Sequence, residues 1–302
     1  MMEKLKHFCE YFKYLKNPIS ALAFKFGLKK TCVVKFKNTT DEINLTSIDV
    51  LNHVMGVLPS VKSDKWDGFI KYVTDIAKDN EFVVVDDIKY YNTRNSSFKK
   101  EHDYYYATHI HEHFTDDDWD MVNFKDRHVI DIGANVADSA LYFAKNGANV
   151  IGFEPVKHIY ELGIDNIAIN PKLKNNIVFV NKGVGGKRGE ISIENNRSTR
   201  GYMDQNATYD IEVITINDVL NDYNFTPDIL KMDCEGCEFE IILNEDLTMF
   251  NDIIFEHHSE MVGKDYKLLI EKLKQENFKI NTWPCNVSNK SFDKIGIIHA
   301  YK

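Results

Sequence analysis

Cysteine is scarce in this chain, and long apolar runs are missing from it. Five cysteines among 302 residues form a sparse, odd-numbered set, which predicts reduced thiols and a cytoplasmic location. No apolar run approaches the roughly 20 residues of a transmembrane helix, and no secretory signal pattern is apparent. Internal repeats are also not apparent. The length predicts one large or two modest globular domains.

The chain as a whole also lacks positive charge. Its net charge of −9 argues against general nucleic-acid binding. The charge is uneven, because residues 1–37 hold nine Lys and two Glu, a balance of 9 − 2 = +7. The remaining residues hold 28 basic and 44 acidic side chains, a balance of −16. The basic segment therefore differs in character from everything that follows it.

The basic segment, residues 1–37, begins with a predicted amphipathic helix over residues 3–16, which we expect Pro18 to end. One side carries the apolar residues Leu5, Phe8, Cys9, Phe12 and Leu15. Two interpretations stay open. The helix packs on its own domain or on a second copy in a homodimer, or it contacts a membrane surface or a partner through residues 1–30.

Residues 38–125 are predicted to form a small α/β cap. The pattern indicates strands at 31–36 and 82–86 and helices at 47–58 and 66–78. Three histidines follow three consecutive tyrosines, namely His109, His111 and His113. A metal site is one interpretation of them, but no fourth ligand is evident, so an aromatic-lined lip of a cleft is preferred.

Residues 129–143, VIDIGANVADSALYF, predict a buried strand, a tight turn at Gly133 and a helix. Such a turn forms a cradle for a nucleotide-type cofactor at the carboxyl end of a strand. The dinucleotide fingerprint needs three glycines, whereas the three positions here are Gly133, Asn135 and Asp138. Because S-adenosylmethionine (SAM) has no pyrophosphate, the motif favours SAM over NAD.

From residue 126 onwards, strands alternate with helices, which predicts a parallel sheet. Core strands are expected at 149–153, 177–180, 229–232 and 253–255, with a closing antiparallel pair at 278–283 and 295–301. Three acids end three strands: Asp131, Glu154 and Asp233. Glu154 lies about twenty residues beyond the glycine turn, where an acid accepts hydrogen bonds from ribose hydroxyls.

Four segments together resemble the FkbM family of SAM-dependent methyltransferases: residues 129–143, VIGFEP at 150–155, ILKMDCEGCEFEIIL at 229–243 and IIFEHH at 253–258. The resemblance covers residues 126–302 and implies a class I methyltransferase fold. That fold is a Rossmann-like, mostly parallel seven-stranded sheet with an antiparallel C-terminal hairpin. The resemblance further implies SAM bound by Asp131, Gly133, Asn135 and Glu154. The family usually has glycine where this chain has Ala137.

The implied reaction is methyl transfer to a hydroxyl of a sugar, glycan or natural product. A hydroxyl needs a base to accept its proton, and the candidates are Asp233, Glu256 and His258, with His258 preferred because imidazole titrates near neutrality. No metal is assigned. His257 is expected to point away from Glu256, and Glu235 and Glu238 are either site residues or acids at a helix N-terminus.

Two further interpretations remain open. A non-catalytic SAM-fold scaffold tethered by its N-terminal helix is the alternative to an enzyme, although the intact strand-end acids favour the enzyme. Cys234 and Cys237 spell C-x-x-C, but redox or zinc use is disfavoured because neither a redox fold nor a second pair is evident. Arg197 and Arg200 either contact an acidic sugar or lie in a solvated loop.

Overall fold

The computed structural model describes residues 2–95, 97, 110, 114, 121–194, 208–285 and 291–302. The chain divides into two compact units, Met1–Thr115 and Asp116–Lys302. The finer division at residues 37/38 and 125/126 stays a prediction. The histidines at 109, 111 and 113 and the arginines at 197 and 200 lie outside the described residues, so their predicted roles stay predictions too.

Among its described residues, the first unit has four α-helices and two small antiparallel strand pairs. Its helices are α1 (Met2–Tyr14), α2 (Pro18–Lys25), α3 (Ile48–Val57) and α4 (Trp66–Ala77). Its strands are β1 (Cys32–Lys35), β2 (Glu42–Leu45), β3 (Phe82–Val85) and β4 (Ile88–Tyr91), paired β1 with β2 and β3 with β4. The predicted helices, β1 and β3 are confirmed, whereas β2 and β4 were not predicted.

Pro18 begins α2 rather than ending α1, which corrects the expectation from the sequence. Proline suits the first turn of a helix, because its missing N–H would have no partner there. The preceding Asn17 ties the junction to β1: its Nδ2 donates to the Val33 carbonyl at 2.6 Å, and its Oδ1 accepts from the Lys35 N–H at 3.0 Å. The break between the helices is therefore held by side-chain hydrogen bonds to a strand.

The second unit is built on a seven-stranded sheet. In chain order its strands are β5 (His128–Ile132), β6 (Asn149–Phe153), β7 (Ile177–Val180), β11 (Ile229–Met232), β12 (Asp252–His257), β13 (Lys279–Pro284) and β14 (Gly296–Tyr301). The order across the sheet is β13-β14-β12-β11-β5-β6-β7. The five strands from β12 to β7 are parallel, and β14 is antiparallel to both β12 and β13. The predicted fold class is confirmed.

Helices and a small second sheet complete this unit. The helices are α5 (Asp138–Lys145), α6 (Lys157–Ala168), α7 (Ile216–Asp222), α8 (Cys237–Asn244), α9 (Ser259–Val262) and α10 (Lys267–Gln275). The small sheet contains β8 (Gly183–Val184), β9 (Gly189–Glu194) and β10 (Thr208–Ile214). Ile216 begins α7, because Thr215 and Asp218 form a capping box that starts a helix. Within the described residues, no helix has the length and apolar character that crossing a bilayer requires.

The central strands are buried on both faces, as continuous apolar runs predict. All four residues of β11 are buried, and so are the last four of β5 and of β6. Phe153, Phe239, Phe250 and Phe255 join them in one hydrophobic cluster. This packing fixes the carboxyl ends of β5, β6 and β11 side by side, which is where the conspicuous acids of the sequence lie.

The turn between β5 and α5 has an unusual backbone. Asn135 has φ +49° and Ala137 has φ +63°, both in the left-handed region. Ala137 is fully buried and is the residue that precedes α5. Only glycine adopts this conformation without a steric cost. The conformation gives a physical reason why glycine suits this position.

We expect Ala137→Gly to raise the free energy of unfolding by up to about 1 kcal/mol. Relief of left-handed strain is worth about 1–2 kcal/mol and is partly offset by about 0.8 kcal/mol for the lost buried methyl group. Ala140→Gly is the matched control, since Ala140 is equally buried but lies inside α5, and it should lose about 2 kcal/mol from helix propensity and the lost buried methyl group. Urea unfolding measures both. Equal destabilisation by the two substitutions would contradict the strained turn.

Candidate functional site

Gly133 is the point where two loops of the site touch. It has φ +73°, and a Cβ atom added to it would lie 1.9 Å from the Asp233 carbonyl oxygen. The loop after β5 therefore packs directly against the loop after β11, with no room for a side chain. The N–H groups of Gly133 and Ala134 both donate to the Phe153 carbonyl at 3.0 Å, so the end of β6 is tied to the same point.

Glu154 bridges the first two strand ends from a buried position. Its Oε2 accepts from the Asn135 N–H at 3.1 Å, and its Oε1 accepts from the Val156 N–H at 2.8 Å. Burial raises the pKa of Glu154 to about 8, against the opposing effect of these two hydrogen bonds and of Lys231. Each carboxylate oxygen has a second lone pair, so Glu154 can still accept from a ligand.

Asp131 lies beneath the loop and is fully buried. Its Oδ1 is 2.9 Å from the Lys231 Nζ, and its Oδ2 accepts from the Ser139 hydroxyl at 2.6 Å. Lys231 also donates to the Gly133 carbonyl at 3.1 Å. Burial raises the pKa of Asp131, and the neighbouring ammonium and hydroxyl oppose this rise. The pair thus holds the glycine turn in place from below.

The loop after β11 is organised by the fully buried Glu238. Its Oε1 accepts from the Cys234 N–H at 3.0 Å, and its Oε2 accepts from the Gly236 N–H at 2.8 Å. Glu238 also lies in the first turn of α8, where an acid offsets the helix dipole. These contacts fit an acid at a helix N-terminus, and a role of Glu238 in the site stays a prediction.

Asp233, Glu256 and His258 come together at the carboxyl ends of β11 and β12. His258 Nε2 lies 3.2 Å from Glu256 Oε2 and 3.9 Å from Asp233 Oδ1, and one potential ligand atom from each residue lies within 4.8 Å of the others. His258 Nδ1 faces Glu238 Oε1 at 3.3 Å. The strand ends at His257, so His258 reaches Glu256 from the start of α9 rather than along a strand face.

The acidic surroundings decide the charge of His258. Burial works to lower its pKa, but the hydrogen bonds that its ring donates to Glu238 and Glu256 and the charge of Asp233 raise it to about 11. His258 is therefore protonated at neutral pH in this arrangement. Asp233 is the most open of the three site residues, with 43% of its side chain exposed against 20% for Glu256.

His257 has the opposite environment, as the alternation along the strand predicted. Its Nδ1 lies 3.0 Å from the Ser259 hydroxyl, and its ring stacks on Tyr266 with centroids 5.0 Å apart. Burial lowers the pKa of His257 to about 4. The pKa values of these two adjacent histidines thus differ by several units, because His258 faces carboxylates and His257 faces aromatic rings.

Cys234 and Cys237 form a disulfide within the loop that carries Asp233, with their Cα atoms 5.5 Å apart. The expectation of reduced thiols throughout the chain is wrong for this pair. The C-x-x-C spacing was the available signal. A C-x-x-C pair needs no redox fold to form a disulfide, because a tight loop alone brings its two sulfur atoms together.

Residues 131–280, about half of the chain, match the family model described as the methyltransferase FkbM domain. No curated protein matches the chain. A solved structure of an FkbM methyltransferase from Methylobacillus flagellatus KT is 12% identical, with coverage of 84% of this chain and 60% of that chain, and a TM-score of 0.43. This chain thus spans about three fifths of that protein.

Two other solved structures have a similarly low sequence identity to this chain. Precorrin-6y C5,15-methyltransferase from Geobacter metallireducens is 14% identical, covers 59% of this chain and 81% of its own, and has a TM-score of 0.35. Magnesium protoporphyrin IX methyltransferase from Synechocystis PCC 6803 is 14% identical, covers 60% and 72%, and has a TM-score of 0.35. All three TM-scores are below 0.5, so the assignment rests on the family match, which confirms the resemblance seen in the sequence. Residues 131–280 therefore form a methyltransferase domain of the FkbM family.

Proposed function

We propose that this chain is a SAM-dependent O-methyltransferase that acts on a hydroxyl of a sugar, glycan or related small molecule. The observation that carries the proposal is the direct contact between the two loops at Gly133 and Asp233. It sets a cofactor cradle beside a cluster of an imidazole and two carboxylates. Positioning and proton removal are the two things that methyl transfer to oxygen asks of a protein.

The residues of the cradle fit SAM. The missing side chain at Gly133 lets the Asp233 carbonyl pack against the turn, which fixes the cradle beside the strand ends. The spare lone pairs of Glu154 match the two hydroxyl donors of a ribose, and Asn135 continues the same turn. Asp131 contributes by holding that turn through Lys231 and Ser139. When bound, SAM supplies a methyl group on a positively charged sulfur that departs as a neutral thioether.

In this proposal, Asp233 is the base that accepts the proton of the acceptor hydroxyl. Because His258 already carries a proton, it donates hydrogen bonds to Glu238 and Glu256 and orients them. The nearby exposed Asp233 carboxylate receives the hydroxyl proton as the O–CH₃ bond forms. The sequence favoured His258 as the base. In this proposal His258 is instead the charged partner of the carboxylates. Since the rest of the chain beyond residue 37 carries −16, a neutral or cationic acceptor suits it better than a nucleic acid.

Two alternatives have their own signatures. A divalent metal held by Asp233, Glu256 and His258 would make methyl transfer depend on added metal and vanish with chelator, since carboxylate and imidazole are ordinary metal donors. A non-catalytic scaffold would bind SAM without turnover. The proposed enzyme instead transfers labelled methyl from SAM to a glycan or sugar acceptor. Its product is an ether that resists mild alkali, unlike a methyl ester.

Glu154→Gln should weaken SAM binding by about 1–3 kcal/mol, because an amide nitrogen replaces an acceptor that faces ribose hydroxyls and a backbone N–H. Bound hydroxyls favour the ionised carboxylate, so with a free-protein pKa near 8 SAM binding at pH 7 should release up to about one proton. Calorimetry in buffers of different ionisation enthalpy measures both quantities.

The matched control for Glu154 is Glu161→Gln, an exposed acid on α6 that should leave affinity and proton release unchanged. The result would contradict the assignment if Glu154→Gln bound SAM as tightly as the wild type, or if NADH bound and SAM did not.

His258→Gln should reduce stability in a pH-dependent way. Because the folded pKa of His258 is raised from 6.5 to about 11, its stabilisation is complete below pH 6.5 and is lost as pH rises towards 11. The stability gap between wild type and variant should therefore narrow by at most about 1.4 kcal/mol per pH unit between pH 6.5 and 9. Chemical unfolding at several pH values measures it.

His257→Gln is the control, with the opposite sign. Its folded pKa is lowered to about 4, so its stabilisation is present above pH 6.5 and is lost as pH falls. A gap for His258→Gln that stays constant above pH 6.5 would show a neutral imidazole and restore His258 as the proton acceptor. Asp233→Asn separates the two roles, since it should lower turnover by about 10²–10⁴-fold with SAM affinity unchanged.

A further inference from the structure

Exposed apolar side chains are concentrated at α1, α2 and β1. Among the described residues, twelve large apolar side chains are exposed, and six of them lie between residues 8 and 33. These six are 40–80% exposed: Phe8, Phe12, Ile19, Phe26, Leu28 and Val33. Single exposed apolar residues are normal on a protein surface, but such a concentration marks a contact surface.

The same elements already have separate buried faces. Tyr11 of α1 and Leu15, the residue after α1, are fully buried, and so are Ala21 of α2 and Val34 of β1. The exposed residues form other faces: Phe8 and Phe12 lie one turn apart with ring centroids at 5.4 Å, and Ile19 and Phe26 are seven residues apart on or next to α2. These side chains are therefore additional to the apolar residues that hold the unit together.

The charge of the segment favours one kind of occupant. Residues 1–37 carry +7, and lysines accompany the apolar residues: Lys13 lies over the Tyr14 ring at 4.7 Å and Lys25 over the Tyr11 ring at 5.1 Å. A second copy of this chain would bring another +7 against the first, which opposes self-association. An anionic surface has the complementary charge.

We propose that α1, α2 and β1 form a docking surface for an anionic lipid bilayer. The apolar side chains enter the boundary between headgroups and acyl chains, and the lysines contact the anionic headgroups. Of the two interpretations that the sequence left open for this segment, the exposed faces support the membrane surface, while the buried faces account for packing within the unit. The bilayer is contacted from one side and is not crossed.

Co-sedimentation with vesicles tests the surface. The full chain should bind vesicles of phosphatidylcholine with 30% phosphatidylglycerol and bind pure phosphatidylcholine at least tenfold more weakly. Raising NaCl from 0.1 to 0.5 M should weaken binding several-fold, because the Debye length falls. Ile19→Ser/Leu28→Ser should reduce binding to anionic vesicles at least tenfold. Both side chains are highly exposed, so the thermal unfolding midpoint should be unchanged.

The matched control is Val178→Ser/Ile191→Ser, which removes two exposed apolar side chains of the second unit and should leave vesicle binding unchanged. The proposal is overturned if the wild type ignores anionic vesicles, or if the Ile19/Leu28 variant binds like the wild type. It is also overturned if sedimentation velocity shows a wild-type dimer that the Ile19/Leu28 variant dissociates while vesicle binding persists. SAM affinity of the same variant is an independent readout, and the proposal expects no change in it.

Discussion

The methyltransferase domain depends on one close approach, between the turn at Gly133 and the carbonyl of Asp233. Their separation leaves no space for a Cβ atom, so the identity of residue 133 controls the relation between the proposed cofactor cradle and the cluster of Asp233, Glu256 and His258. The parallel pairing of β5 with β11 brings the two loops to the same edge of the sheet. Glycine then lets them touch. A side chain there would separate the two halves of the site.

Buried charge surrounds this contact on both sides, and each buried acid has partners. Lys231 pairs with Asp131, His258 faces Glu238, and Glu154 accepts two backbone N–H groups. Burying a lone charge is costly, whereas breaking a buried pair by removing one partner costs about 3–5 kcal/mol. The site is thus a set of mutually dependent groups whose protonation states are set by their neighbours. This dependence explains how one histidine is held charged and the next is held neutral.

Much of this architecture can be predicted from the sequence, because local patterns determine it. The strand at 229–232 and the helix after Gly133 are set by local sequence patterns, and both lie where the sequence predicts them. The strands β2 (EINL) and β4 (IKYY) interrupt their apolar residues with polar or charged ones, so they lack the continuous apolar run that marks β3 (FVVV). The charge of His258 depends on Glu238, twenty residues away, and on the end of a neighbouring strand. Such long-range contacts leave no local signal. Ala137 was visible as a departure from the family, but its left-handed backbone was not.

The most direct test of the account is a crystal structure of the protein with S-adenosylhomocysteine. We expect the ribose hydroxyls to contact the Glu154 carboxylate and the turn from Gly133 to Asn135 to surround the ligand. We expect the sulfur to face the cluster of Asp233, Glu256 and His258. A ligand bound elsewhere, or a ribose that leaves Glu154 without contact, would contradict it. So would a cradle that binds no S-adenosylhomocysteine at millimolar concentration.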